Sequence, residues 1–509
     1  MTLSSPRPAT PPTTESATDA PTERERPTVA IAGATGFVGT ALRHALADSY
    51  RFIGLTRSPT RAERADDPTV AEWRRCDLFS LRDVTRALDC VDYAIYLVHS
   101  MLPSARLTQG DFADFDLLLA DNFARAAERC GVRQIVYLGG LIPDGDDQTR
   151  LGSSKYRLSK HLASRLEVEE TLGCCGVPLT ALRAGLVVGP GGSSLRILLR
   201  LVRRLPVMAL PRWTRTETQP IALADIVRAV ELCLGDPSTY GRHFDLGGPD
   251  VMTYRSMMQR TAELMDVRRP MLDVPFVSPG LSKAWVILFS GSSRALVGPL
   301  VDSLRHEMVA QPNPLLERLL PDAVSFDAAL ATSLEGRVGL PNPRSSLRKS
   351  DDRRIRRERR VRSVQRLPLP PGRDAAWARR RYARWLPRFV FPFLRATVGP
   401  AHGVDDARTR FYLRILPWPL LELTLAPDES TPDRQILYIT GGLLARTTDD
   451  ERPGRLEFRV VDGGNSLIAA IHDFSPTLPW FLYSSTQALV HLFVMKSFGR
   501  HLARRAAPR

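Results

Sequence analysis

Thr28-Val29-Ala30-Ile31-Ala32-Gly33-Ala34-Thr35-Gly36-Phe37-Val38-Gly39-Thr40-Ala41-Leu42 joins a short apolar run to an amphipathic one through three glycines spaced three apart. The run Thr28 to Ala32 suits a buried strand, and the spacing of apolar residues from Val38 to Ala47 predicts a helix. Glycines between the two let the chain turn sharply and let its backbone approach a pyrophosphate, which then meets the unpaired N–H groups at the helix N-terminus. Gly33, Thr35, Gly36, Phe37 and Val38 are therefore the first candidate cofactor-binding residues.

Outward from this turn the same alternation continues. Arg51 to Thr56, Tyr93 to Val98, Gln134 to Leu138 and Leu179 to Leu182 read as strands. Leu81 to Leu88, Asp111 to Cys130 and Tyr156 to Leu172 read as helices between them, the rhythm of a doubly wound parallel sheet of Rossmann type. After Gly189 it breaks into Gly/Pro-punctuated segments that reach about Glu335 and suit a small substrate lobe, over about residues 190–335. Residues 1–27 are rich in Pro, Thr and Ser and read as a disordered tail without an apolar signal core.

The 509 residues call for more than one domain, and 43% hydrophobic with 25% charged residues excludes a wholly disordered or fibrous chain. The net charge of +15 is concentrated. Residues 344–395 hold 18 Lys+Arg against 4 acids, a surplus of +14, while the remainder is nearly neutral. Residues 336–385 therefore read as a basic linker, with Arg353 to Arg366 a connector or frayed helix. Beyond it, Leu420 to Ala426, Arg434 to Leu444 and Arg455 to Ile471 read as strands, the last folded about the turn-forming Asp462-Gly463-Gly464-Asn465, and Trp480 to Leu502 as a helix. That makes residues 386–509 a second, α+β unit. The six cysteines show neither metal-ligand spacing nor the density of a disulfide scaffold, so a reducing cytoplasm and no metal are expected, with Cys174 and Cys175 as buried thiols at a helix end.

The Gly-x-x-Gly-x-x-Gly turn with Ala34-Thr35-Gly36-Phe37-Val38-Gly39 inside it resembles the extended and atypical short-chain dehydrogenase/reductases, including their NmrA-like branch. Leu182 to Gly189, Gln219-Pro220-Ile221-Ala222 and Gly247-Gly248-Pro249-Asp250 resemble later signatures of a bacterial two-domain subgroup. The resemblance covers about residues 28–335. It implies that Asp77 and Leu78 meet an adenine, and that Val98 and His99 end the fourth strand beside a nicotinamide. It also implies a Tyr proton donor with a Lys one turn later, the form of Tyr156-Arg157-Leu158-Ser159-Lys160. A rival register places His161 and Arg165 at those two positions, and Gly139-Gly140 stands where the family has a Ser.

Thr56-Arg57-Ser58 follows the second strand, where a carboxylate would bind the ribose of NAD and an Arg a 2′-phosphate. Arg57 therefore points to NADP(H) in preference to NAD(H). The last hundred residues resemble the START-like helix-grip fold, which implies an apolar ligand. Three functions remain open: an oxidoreductase on a hydrophobic carbonyl or quinone-like acceptor, a non-catalytic nucleotide sensor or scaffold, and a handler of lipids or quinones at a membrane surface. Trp480 to Phe498 is apolar but interrupted by His491 and Lys496, which argues against a bilayer span. Arginines interleaved with Trp377, Tyr382, Trp385, Phe389, Phe391 and Phe393 suit an anionic membrane surface, with stacking on single-stranded nucleic acid the alternative, while a helix that packs these aromatics on the C-terminal sheet is the reading favoured.

Overall fold

The computed structural model describes residues 26–63, 67–99, 107–143, 158–274, 287–288, 294–335, 360–446, 453–479, 483 and 486–506. Its first sheet is built from β1 (Thr28–Ala32), β2 (Arg51–Thr56), β3 (Glu72–Arg75), β4 (Tyr93–Tyr96), β6 (Gln134–Gly140), β7 (Leu179–Ala184) and β8 (Arg242–Leu246), while β5 (Leu107–Gln109) joins the second sheet. The order is β8-β7-β6-β4-β1-β2-β3, with every pairing parallel. This is a Rossmann-type α/β sheet of seven strands. Residues of β1 alternate between two cores: Ala30 and Ala32 face one layer, Val29 and Ile31 the other. Both faces are thus covered, which is why the strand reads as continuously apolar. The order reverses between β4 and β1, so a crevice opens there at the carboxyl ends of the strands.

Helices α1 (Phe37–Ala45), α2 (Phe112–Arg129) and α3 (Lys160–Leu172) flank the sheet. Ser159 caps α3 by accepting from the Leu162 N–H, and Asp111 caps α2 by accepting from that of Ala113. A separate apolar cluster holds the lobe together, with Leu195, Leu198 and Val202 of the helix Ser193–Arg204 against Met257, Met258 and Leu330.

The second sheet corrects the expected boundaries. It comprises β9 (Val361–Pro368), β10 (Leu394–Ala401), β11 (Val404–Leu413), β12 (Pro419–Leu425), β13 (Arg434–Gly441), β14 (Arg455–Val461) and β15 (Ser466–Phe474), in the order β10-β11-β12-β13-β14-β15-β9-β5. The stretch expected as a linker or frayed helix is, in its described part, the strand β9 followed by helix α4 (Ala375–Phe389). β9 pairs antiparallel with β15 and parallel with β5 of the first unit. Its arginines are not a solvated run: Arg362 pairs with Asp77 and Asp473, and Arg366 with Asp114 and Glu167.

Alternation along β14 and β15 shows how the sheet is covered. Leu456, Phe458, Leu467 and Ala469 face α4 and the terminal helix α5 (Gln487–Ala506), where Tyr382, Trp385, Phe498 and Leu502 fill the space. Val461, Ile468 and Ala470 face the opposite way and pack on Leu117, Leu118 and Leu119 of α2. No helix among the described residues is long and apolar enough to cross a membrane. Cys174 lies exposed just beyond α3, its Sγ 3.3 Å from that of Cys175, rather than buried as expected.

Candidate functional site: the β1–β4 crevice

The turn after β1 is shaped by close approach. Gly33 has φ +96°, and a Cβ there would lie 3.1 Å from that of Leu97, just past β4. At Gly39 a Cβ would lie 2.5 Å from the Gly33 carbonyl oxygen and 2.9 Å from the Ala34 Cα. The helix therefore starts directly against the turn, with the Gly36 N–H donating to the Gly33 carbonyl at 2.7 Å. Gly36 is its N-cap, no side chain caps it, and its first turn carries no acid. Uncapped N–H groups facing a crevice without a competing carboxylate suit the pyrophosphate of a dinucleotide. Thr35 is exposed between the glycines, Phe37 lies below a would-be Cβ of Gly189, and Val38 packs on the core beneath.

Arg57 is exposed directly after β2 and makes no ion pair among the described residues. One turn on, the Arg61 guanidinium lies 5.2 Å from the Trp73 ring centroid, over a ring that Arg43 also covers. Arg57 is thus left open after β2, while Arg43 is held by Asp67 at 2.8 Å.

Asp77 and Leu78, the residues expected at an adenine, are engaged by other parts of the chain. Asp77 is buried and its carboxylate accepts from Arg362 of β9 at 2.9 Å, with the Arg362 guanidinium 3.8 Å from the centroid of Phe79. Leu78 offers its carbonyl to Asn122 of α2 at 2.8 Å. Both residues are thus engaged with α2 and the second sheet. Val98, at the end of β4, packs against the same apolar layer.

At the carboxyl end of β4 lies a cluster of polar side chains. His99 Nδ1 is 3.1 Å from Asp116 Oδ2, and the same oxygen is 3.5 Å from the Arg165 guanidinium. The His99 and His161 rings lie with centroids 5.2 Å apart. Arg165 also donates to the Tyr137 hydroxyl at 3.4 Å, and that hydroxyl donates to the Arg165 carbonyl. Burial, helped by the Arg165 charge, lowers His99 to about 4 and His161 to about 3, so both imidazoles are neutral near pH 7. Burial raises Tyr137 to about 12 and holds Tyr96, beside it, well above its usual range.

The spacing of four on α3 puts His161 and Arg165 on one inward face. Lys160, the first residue of that helix, turns outward: its side chain is 82% exposed and its Nζ is 3.6 Å from Asp111. Lys160 is therefore not brought to His99, and Tyr156 lies outside the described residues. Asp116 and Tyr137 were missed by sequence reading. A signal existed for the first, since Asp116, Asp121 and Asn122 interrupt an otherwise apolar stretch of α2. Among the described residues no cluster could hold a metal ion.

Comparisons with known proteins find matches to part of the chain. The auxiliary protein GraX of Staphylococcus aureus is 30% identical over 128 residues, a match spanning 25% of this chain and 41% of that protein's length. Among solved structures, a nucleoside-diphosphate-sugar epimerase of Staphylococcus aureus is 17% identical, with a TM-score of 0.46 over 60% of this chain and 99% of its own. An NADPH-dependent quinone oxidoreductase of Escherichia coli in complex with NADPH is 17% identical, with a TM-score of 0.45 over 61% of this chain and 100% of its own. Triphenylmethane reductase of Citrobacter sp. complexed with NADP(H) is 15% identical, with a TM-score of 0.46 over 60% of this chain and 99% of its own. Residues 29–247, the segment that carries the glycine turn, the β1–β4 crevice and the His99 cluster, match the model of the NAD dependent epimerase/dehydratase family.

Proposed function

We propose that the chain is an NADP(H)-dependent oxidoreductase acting on a hydrophobic carbonyl or quinone-like acceptor, with His99 handling the proton. The observation that carries this reading is the His99–Asp116 pair at the end of β4, beside the glycine turn. An ionised carboxylate only accepts, so neutral His99 donates Nδ1–H to Asp116 and keeps a lone pair on Nε2. That Nε2 is shielded from solvent and has no hydrogen-bond partner among the described residues. A nicotinamide lying across the crevice would supply or take a hydride. In the direction of alcohol oxidation, His99 Nε2 takes the hydroxyl proton as the C–H electron pair leaves as hydride; in reduction Nε2, bare in the neutral imidazole, first takes a proton from water and then delivers it to the oxygen. Burial first and the Arg165 charge second disfavour the imidazolium while Asp116 steadies it, so the proton is held only weakly.

The hydrophobic class of acceptor is part of this proposal. Beyond β6 the packing is apolar, with Leu141, Leu162, Met308, Ala310 and Leu316 in one buried cluster and Leu158 against it. NADP(H) in preference to NAD(H) rests on Arg57. The second unit runs strand, helix, six strands, helix, with β9 beside β15, which supports the START-like helix-grip reading. Tyr382, Trp385 and Phe498 occupy the space between its sheet and helices.

A sensor without turnover is the second reading, favoured by Gly139-Gly140, which offer no hydroxyl, and by the outward Lys160. The two are separated by His99→Gln. An oxidoreductase should lose roughly 10²- to 10⁴-fold in turnover of NADPH with quinones, aldehydes or enones while keeping its NADPH affinity. Wild-type protein that binds NADPH and oxidises it with none of these acceptors would instead establish the sensor.

A further inference from the structure

The end of the second unit where α4 finishes bears a run of large apolar side chains that no described residue covers. Phe391 and Phe393 are each 67% exposed, Ile415 87% and Trp418 62%, with Phe389 and Phe493 exposed beside them. They are contiguous. Phe389 lies 5.9 Å from Phe493 of α5 by ring centroids, the Arg414 guanidinium lies 5.2 Å from the Phe391 ring, and the Arg414 N–H donates to the Phe393 carbonyl at 2.9 Å. Ile415 and Trp418 follow in the turn between β11 and β12, whose Pro419 carbonyl accepts from Leu443 at 3.0 Å.

A lone exposed Leu or Phe needs no explanation, but a continuous patch of aromatic and branched side chains marks a contact surface. Its rim identifies the partner. Arg384, Arg388, Arg395 and Arg414 are all exposed around it. From Arg384 to Trp418 there are six arginines, of which Arg408 and Arg410 pair with Glu422 of β12, against two acids, Asp405 and Asp406, at the far hairpin end, where Asp406 is already paired with Arg379. Neutral apolar patches ringed by mixed charge suit proteins; aromatic tips ringed by one sign of charge suit headgroups, where the rings enter the acyl boundary and guanidinium groups meet phosphates.

We infer that this end of the second unit docks on an anionic lipid surface, with Phe391, Phe393, Ile415 and Trp418 entering the interface and the four arginines contacting headgroup phosphates. The surface lies apart from the β1–β4 crevice, and the inference does not depend on the nucleotide reading.

The full chain is tested by sedimentation with vesicles of phosphatidylcholine alone and with about one third phosphatidylglycerol added, at salt from about 0.05 to 0.5 M. Saturable binding to the anionic vesicles that weakens steeply with salt is expected. Trp418→Ser with Phe391→Ser should weaken it at least tenfold at unchanged charge, and Arg388→Glu with Arg414→Glu should do so at unchanged apolar surface. All four positions are exposed, and an unaltered melting temperature verifies the fold of each variant. The inference is overturned by equal binding to neutral vesicles, by absence of binding, or by variants that bind as wild type. It is equally overturned if the patch variants abolish self-association in analytical ultracentrifugation while vesicle binding is absent, or if only single-stranded nucleic acid is bound.

Discussion

Arg459 should be the most costly single arginine to remove. It is 0% exposed, sits in β14 and reaches across the layer between the two units. Its Nε donates to Glu457 at 2.8 Å, its Nη2 to Asn122 at 2.8 Å, and its Nη1 pairs with Asp121 of α2. Arg459→Met preserves most of the volume and deletes the charge. Glu457, fully buried and held well below the usual carboxylate range by Arg434 and Arg459, then keeps Arg434 at 2.8 Å, while Asp121 keeps Arg125. Removing one partner of a buried pair costs about 3–5 kcal/mol, and the remaining arginines place the loss at the lower end, about 3 kcal/mol. Adding Glu457→Gln should cost more stability still, because Glu457 continues to hold Arg434 and its loss leaves that buried guanidinium unpaired. Urea unfolding followed by circular dichroism and tryptophan fluorescence measures both. A loss below about 1 kcal/mol, or a double variant as stable as the single, would refute the buried ion network as the joint between the sheets.

Two further outcomes follow from the same geometry. Burial holds His472 at about 4, against an ordinary 6.5, so below pH 6.5 the unfolded chain takes up a proton that the folded chain refuses. Stability should therefore fall as pH drops from 6.5 towards 4, by about 3 kcal/mol for this group alone, with His99 and His161 acting in the same sense; equal urea midpoints at pH 7.5 and 4.5 would contradict it. Gly39→Ala should abolish NADPH binding, because the new Cβ meets backbone at the Gly33 carbonyl, 2.5 Å away, and α1 must shift from the turn; calorimetric titration showing wild-type affinity would remove that constraint.

The parts legible in the sequence are those set by local pattern. The β1 strand, glycine turn and helix lie within one short segment, and the alternation of strands and helices through Ala184 needs only hydrophobic period, except at the edge strand β3, whose Glu72-Trp73-Arg74-Arg75 carries a single buried apolar residue. What stayed hidden depends on partners distant in the chain. Val361–Pro368 sits among arginines that look solvated until Asp77, Asp114 and Glu167 of the other unit are brought to them. Arg455, Glu457 and Arg459 alternate with apolar residues as on a half-exposed strand, yet α2 covers their face. The α3 register was undecidable for another reason: Tyr156/Lys160 and His161/Arg165 share the spacing of four, and only packing turns Lys160 outward and Arg165 inward.

Affinity for the two nucleotides tests the site most directly. Titration of the full chain by fluorescence should give saturable binding of NADPH, tighter than NADH by tenfold or more, since a charge-assisted contact to the 2′-phosphate contributes about 1.5–3 kcal/mol. Arg57→Glu should erase that preference and leave NADH affinity in place. Equal affinities in the wild type would overturn Arg57 as the phosphate contact, and no binding of either nucleotide would contradict the β1–β4 crevice as a dinucleotide site.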